Sequence, residues 1–178
     1  MYRFVKMGLT WAAAGLLVLA RAQAGSDAPT AEALCHDWFG PAAQTSRLPL
    51  ADPEAVVSEV TLAGRPAGWL FRTDQMPPVC KGKRGQIAVL VAIGTDARIK
   101  GLTVLASKED PPYFKRLKDT FYQQFRNRPV GDGAVKLDAV TRATLSSRAI
   151  IRDVMEGSQR VIALPEVAAK LSAAHKGG

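Results

Sequence analysis

The sequence predicts an α+β domain, a small antiparallel sheet built of hairpins and flanked by helices. Two observations carry this expectation. Four strand-like runs between residues 56 and 106 pair into two successive hairpins, whereas helical periodicity dominates after Pro111. With 47% hydrophobic and 22% charged residues, the chain also has the composition of a protein that buries a core.

The first residues read as a delivery signal. Arg3 and Lys6 precede an apolar run from Met7 to Ala20, and Ala22-Gln23-Ala24 has the small-x-small pattern that signal peptidase reads. Cleavage is expected after Ala24, with a retained N-terminal membrane anchor as the alternative; the apolar run is short of the roughly 20 residues that a span needs. No cysteine stands at the cleavage point to accept a lipid. Loss of residues 1–24 leaves 154 of the 178 residues and takes the formal charge from +8 to +5, because Arg3, Lys6 and Arg21 leave with them. The remainder divides into an N-terminal segment, 25–55, and a domain, 56–175. A periplasmic location follows from export, and nucleic acid is not an expected partner.

Within residues 25–53, a short helix from Ala31 to Trp38 is expected, capped by Thr30; the rest reads as loop punctuated by Pro41, Pro49 and Pro53. Val56–Leu62 alternates like a strand, Ala63-Gly64-Arg65-Pro66 turns the chain, and Ala67–Arg72 returns. Trp69 and Phe71 on that strand read as core. Asp74–Arg84 is a loop with Pro77, Pro78 and Gly82, and its Lys81, Lys83 and Arg84 read as a solvated basic face, with docking of a redox partner as the alternative. Gln86–Ile93 has almost no polar face, so both its sides are expected to be covered. A turn at Gly94–Ala97 leads to a partner strand, Ile99–Ala106. After Pro111-Pro112, Phe114, Leu117, Phe121 and Phe125 recur at helical spacing and predict one amphipathic helix with Lys115, Lys118 and Arg126 outward. A second helix is expected over Ala149–Val161, capped by Ser146 or Ser147, and a short last helix starts at Pro165.

Cys35 and Cys80 form one even pair, which in an oxidising compartment predicts a disulfide, with two free thiols as the alternative. Cys35-His36 lacks the first cysteine of a haem attachment motif, since Glu32 stands in its place. His36 and His175 have no metal-ligand spacing, and no metal is expected. Ser146 and Ser147 lack a Gly-x-Ser-x-Gly context, which argues against a serine hydrolase.

The chemistry-bearing stretch is Asp138-Ala-Val-Thr-Arg-Ala-Thr-Leu-Ser-Ser147, which feeds directly into a helix. Helix-start amides lack internal acceptors and the dipole makes that end positive, so the natural guest is an anion such as a phosphate. Hydroxyls of Thr141, Thr144, Ser146 and Ser147 add donors there, although hydroxyl clusters before helices are more often plain caps.

This stretch resembles the flavinylation motif of the FMN-binding domain family, whose members include the G subunit of the Rnf complex, the C subunit of the sodium-translocating NADH:quinone reductase and the periplasmic domain of the nitrous-oxide-reductase regulator. Gln86–Ile93 with Ile99–Leu105 is similar to the family's central hairpin. Lys108-Glu-Asp-Pro111 is similar to its Glu-Thr-Pro segment, and Phe121–Phe125 to its helix ending in Gln-Phe. The resemblance runs from about Ala67 to Val161. It implies an FMN-binding-domain-like fold and covalent FMN on Thr144 through a phosphoester, with Asp138 and Thr141 in the motif's acidic and first hydroxyl places. Ala143, Leu145, Ser146 and Ser147 surround the attachment point, Glu109 and Asp110 lie against the flavin, and Tyr113 stands near the family's apolar ring contact. An FMN transferase using FAD is the implied modifying partner, and membrane quinone-linked or periplasmic redox proteins are the implied electron-exchange partners. The chain would then be an electron carrier rather than an enzyme with its own substrate. Two positions depart from the pattern. Arg142 replaces a glycine, which favours a non-flavinylated binding or sensory module if the turn needs a left-handed backbone, and otherwise adds a guanidinium near the phosphate. Asp110 replaces a threonine and brings a negative charge toward the ring.

Overall fold

A computed structural model describes residues 30–77, 79–115, 117, 119–131, 137–139 and 143–176. The expected signal peptide therefore lies outside the described residues. Among those described, no helix is long and apolar enough to cross a membrane.

Five strands form one antiparallel sheet in the order β1-β2-β3-β4-β5: β1 (Ala43–Arg47), β2 (Val57–Leu62), β3 (Arg65–Arg72), β4 (Ile87–Gly94) and β5 (Ile99–Ser107). An α+β architecture with two successive hairpins is what the sequence predicts. β4 runs between β3 and β5 with all eight residues buried, because α1 covers one face and α4 the other. Alternate side chains enter two cores. Val89, Val91 and Ile93 join Trp69 and Phe71 under α4 (Thr144–Ala163), whereas Leu90 and Ala92 join Leu70 under α1 (Ala31–Phe39).

Helix α1 begins as the sequence predicts: the Thr30 hydroxyl accepts the Ala33 N–H at 3.1 Å. Thr30→Ala is expected to cost about 1 kcal/mol, the usual worth of such a cap, read as a lowered urea midpoint. The segment that follows is not all loop. Ala43–Arg47 is a strand, pairing Ala43 with Leu62 and Arg47 with Ser58. It escapes the period-two pattern because it is a polar edge strand with only Ala43 buried.

The single amphipathic helix expected from Phe114 to Phe125 is two short pieces, α2 (Pro111–Phe114) and α3 (Asp119–Gln123). The apolar residues still face inward: Leu117, Phe121 and Phe125 are buried, and the rings of Phe121 and Phe125 meet edge-to-face at 5.6 Å. The chain keeps that face by tightening its turns. Leu117, Gln124, Phe125 and Arg126 donate their N–H groups to the carbonyls three residues back, not four. A three-four spacing of apolar residues therefore does not by itself guarantee an uninterrupted helix.

α4 starts earlier than expected and runs for 20 residues. Its N-cap is Ala143, so Ser146 and Ser147 lie inside the first turn instead of capping it. The last helix, α5 (Pro165–Lys176), begins at the predicted proline and is tied to the sheet by Lys170, which donates to both Glu59 carboxylate oxygens at 2.6 and 2.7 Å.

The predicted disulfide is absent, and both thiols are free. Cys35 points from α1 into the core on the Leu70–Leu90 face. Cys80 is held at the opposite face, where its N–H donates to the Asp153 carboxylate of α4 at 2.7 Å. The sheet lies between the two residues. Even parity states that two cysteines can pair; their side of the sheet is decided by tertiary packing.

Candidate functional site

The start of α4 opens onto a cleft of about 300 Å³. Ala143, Thr144, Leu145 and Ser146 line it from the helix, Glu109 and Asp110 from the segment after β5, and Lys83 from the loop before β4. Residues more than thirty positions apart in sequence thus converge, as the resemblance implies for Thr144, Glu109 and Asp110.

Thr144 is the first residue of α4. Ala143 at the N-cap offers no capping side chain and no acidic residue stands in the first turn, so the positive end of the dipole faces the cleft. The Ser146 hydroxyl donates to Glu109 Oε2. The other carboxylate oxygen of Glu109 accepts the Arg84 N–H at 2.7 Å, and the Glu109 N–H donates to the Ser107 hydroxyl at 3.0 Å. Glu109 therefore joins the loop before β4 to the helix start.

Gly82 makes this possible. A Cβ there would lie 2.7 Å from Glu109 Oε1 and 2.9 Å from its carboxyl carbon, closer than a side chain tolerates. The sequence reads Lys81, Lys83 and Arg84 as a solvated loop or a docking face; in the fold Lys83 lines the cleft and Arg84 fixes its acidic wall. The Arg84 guanidinium meets Asp110 at 2.7 Å. The negative charge expected from Asp110 is thereby partly offset. The signal in the sequence was the glycine between two lysines.

Other predicted residues stand apart from this cleft. The Ser147 hydroxyl is fully buried and donates to the carbonyls of Ala143 at 3.0 Å and Thr144 at 3.2 Å, so it tightens the first turn. Asp138 lies in a neighbouring cleft, its backbone held by the Gln124 side chain: the Asp138 N–H donates to Gln124 Oε1 at 2.9 Å. Thr141, Arg142 and the side chain of Tyr113 lie outside the described residues. Among the described residues, no group of His, Cys, Asp and Glu is placed to hold a metal ion.

Behind the site, burial raises the carboxyl pKa of Asp153, against the lowering effect of its hydrogen bond from Cys80. Burial also raises the Cys80 thiol, with Asp153 adding to the shift, so Cys80 stays protonated and is not an activated nucleophile. An acid whose pKa is higher in the folded state binds more protons there. It follows that Asp153 subtracts stability as pH rises from its unfolded pKa through its folded one. Asp153→Asn keeps an acceptor for Cys80 and is expected to raise the Tm near pH 7, with the gain shrinking toward about pH 4. Thermal melts across that range check it, and a gain independent of pH would contradict it.

The cleft offers a seat for an anionic group such as a phosphate. It has a helix N-terminus for an anion, a lysine on its wall, and a volume at the lower end of the roughly 300–1,000 Å³ range of small-molecule sites. Comparison with known proteins agrees: residues 82–157 match the family model described as FMN-binding domain. No curated protein matches the chain.

Proposed function

Residues 82–157 belong to the FMN-binding domain family, and from that premise we propose that the chain is an exported electron carrier whose FMN is held covalently through a phosphoester on Thr144. The observation that carries this reading is the position of Thr144 as the first residue of a 20-residue helix, inside a cleft that also holds Ser146, Glu109 and Lys83.

The attachment balances as a transfer. The Thr144 hydroxyl oxygen bonds to the FMN phosphorus of FAD, the bond between the two phosphates breaks, AMP leaves, and the hydroxyl proton is lost. An exported FMN transferase supplies that catalysis. Bound FMN supplies reversible electron transfer. The chain's own residues do the rest. The first-turn amides and the helix dipole favour the phosphate charge. Ser146 orients Glu109, and Arg84 offsets the carboxylate of Asp110 beside it. Quinone-linked membrane complexes or periplasmic redox proteins are the proposed exchange partners.

Arg142 in place of the family's glycine supports a second reading, a module of the same fold without flavin. One experiment separates the two. The chain is co-expressed with an FMN transferase in an exporting host, and intact mass and visible absorption are recorded. A gain of one FMN with loss of the leader supports the carrier. Colourless protein of unmodified mass, beside a control substrate that is loaded, selects the second reading.

A further inference from the structure

A larger cleft of about 550 Å³ lies along the outer side of α4, next to the first but not part of it. Leu145, Arg148 and Arg152 line it at spacings of three and four, so they form one stripe of the helix. Lys81 and Leu137 also line it, and Asp138 is the one acidic residue in the lining. Three cations therefore face one carboxylate. Arg152 also approaches Glu156 at 3.6 Å, but both side chains are more than half exposed, and such a pair contributes little.

Leu145 is the decisive residue. Among the described residues, the large apolar side chains left exposed are Leu105 and Leu145, and Leu145 is the more exposed at 61%. It lines both clefts and directly follows Thr144. An exposed apolar centre with a charged rim is the anatomy of a protein-docking patch, where the apolar anchor supplies affinity and the rim steers encounter.

We propose that this groove docks an acidic redox protein, with Leu145 as the apolar anchor and Lys81, Arg148 and Arg152 as the steering cations. What is exchanged there rests on the flavin reading; the docking itself does not. The partner's chemistry follows from the charge of the rim, and its redox character from the contact of Leu145 with the cofactor cleft. A partner seated here would lie against the residue that follows the attachment point.

The test uses the unloaded mature chain and the soluble haem domain of cytochrome b5 as an acidic one-electron probe. Binding is measured by calorimetry at low and physiological salt. The triple variant Lys81→Glu/Arg148→Glu/Arg152→Glu is expected to bind about tenfold or more weakly, and added salt to weaken the native pair, as for steered complexes. Arg47→Glu/Arg65→Glu/Arg126→Glu makes the same change in net charge elsewhere and is expected to bind almost normally. Equal losses in the two variants would overturn the proposal, because net charge alone would then explain them. Thermal melts check folding, and the milder Lys81→Gln/Arg148→Gln/Arg152→Gln variant repeats the comparison if the reversal unfolds the chain. Groove-dependent binding to phosphatidylglycerol vesicles without binding to the haem domain would assign the face to a membrane and also overturn it. Groove-dependent binding to the haem domain by a chain that never accepts FMN upholds the docking and sinks the flavin reading alone.

Discussion

Thr144→Ala is expected to abolish covalent loading completely, so that the mass gain of one FMN and the visible flavin absorption disappear together. The argument is chemical. The attachment needs a hydroxyl oxygen at the mouth of the cleft, and alanine has none. The loss will not come from unfolding. Thr144 is a partly exposed first-turn residue, and alanine is the better helix former by up to roughly 0.7 kcal/mol, so a folded Thr144→Ala chain is expected. Thr144→Ser restores the oxygen and is expected to recover loading. Ser147→Ala is the informative neighbour. Its hydroxyl is buried and committed to the Ala143 carbonyl, so its loss should cost about 1 kcal/mol of stability and leave loading intact. Intact-mass spectrometry of the four proteins decides the matter. Loading that survives in Thr144→Ala but vanishes in Ser147→Ala would move the attachment point.

The second large effect lies beneath the site. Phe71 on β3 is buried, and its ring packs under α4 at Gly157, where a Cβ would come within 2.8 Å of a ring carbon. The missing side chain of Gly157 is thus the seat of the ring and sets how closely α4 approaches the sheet. Phe71→Ala opens a cavity there and is expected to cost about 3–5 kcal/mol, a large share of the 5–15 kcal/mol that holds a typical domain together. Gly157→Ala presses on the same ring from the other side and should cost about 1–3 kcal/mol by overpacking. Because the two residues touch, the effect of Gly157→Ala should shrink in a Phe71→Leu background. Urea unfolding followed by circular dichroism measures all of these. Additive costs would mean that the contact does not hold the helix. A displaced α4 carries Thr144 with it, so the destabilised variants should also load less flavin.

Some of this molecule is written in short runs of residues. The apolar string from Ile87 to Ile93 can only be a strand covered on both faces, and the structure covers it with α1 and α4. Thr30 before Ala31 and Pro165 before Glu166 mark helix starts, because a hydroxyl cap and a fixed φ act within one turn of chain. The hydroxyl stretch ending at Ser147 likewise announces a helix start, and α4 begins within it at Thr144.

Other features depend on what lies across the fold. β1 is polar and is a strand only because β2 offers it an edge. The break between α2 and α3 follows from tight turns that keep Phe121 and Phe125 inward without a continuous helix. Local periodicity is blind to both, since it records which residues want burial and not which backbone bonds will serve it.

The same division runs through the site. Thr144, Glu109 and Asp110 each belong to a short motif that singles them out in the sequence, and all three line one cleft. Lys83 joins them, Arg84 pairs with Asp110, and Cys35 is kept from Cys80, only once the sheet sets each residue on a face and at a distance. Hydrogen bonds and ion pairs act over a few ångströms, and which groups come that close across tens of residues is decided by packing. The sequence carried most of the elements and the proposed attachment residue; the acidic wall, its arginine, and the basic groove beside Leu145 exist only in the folded chain.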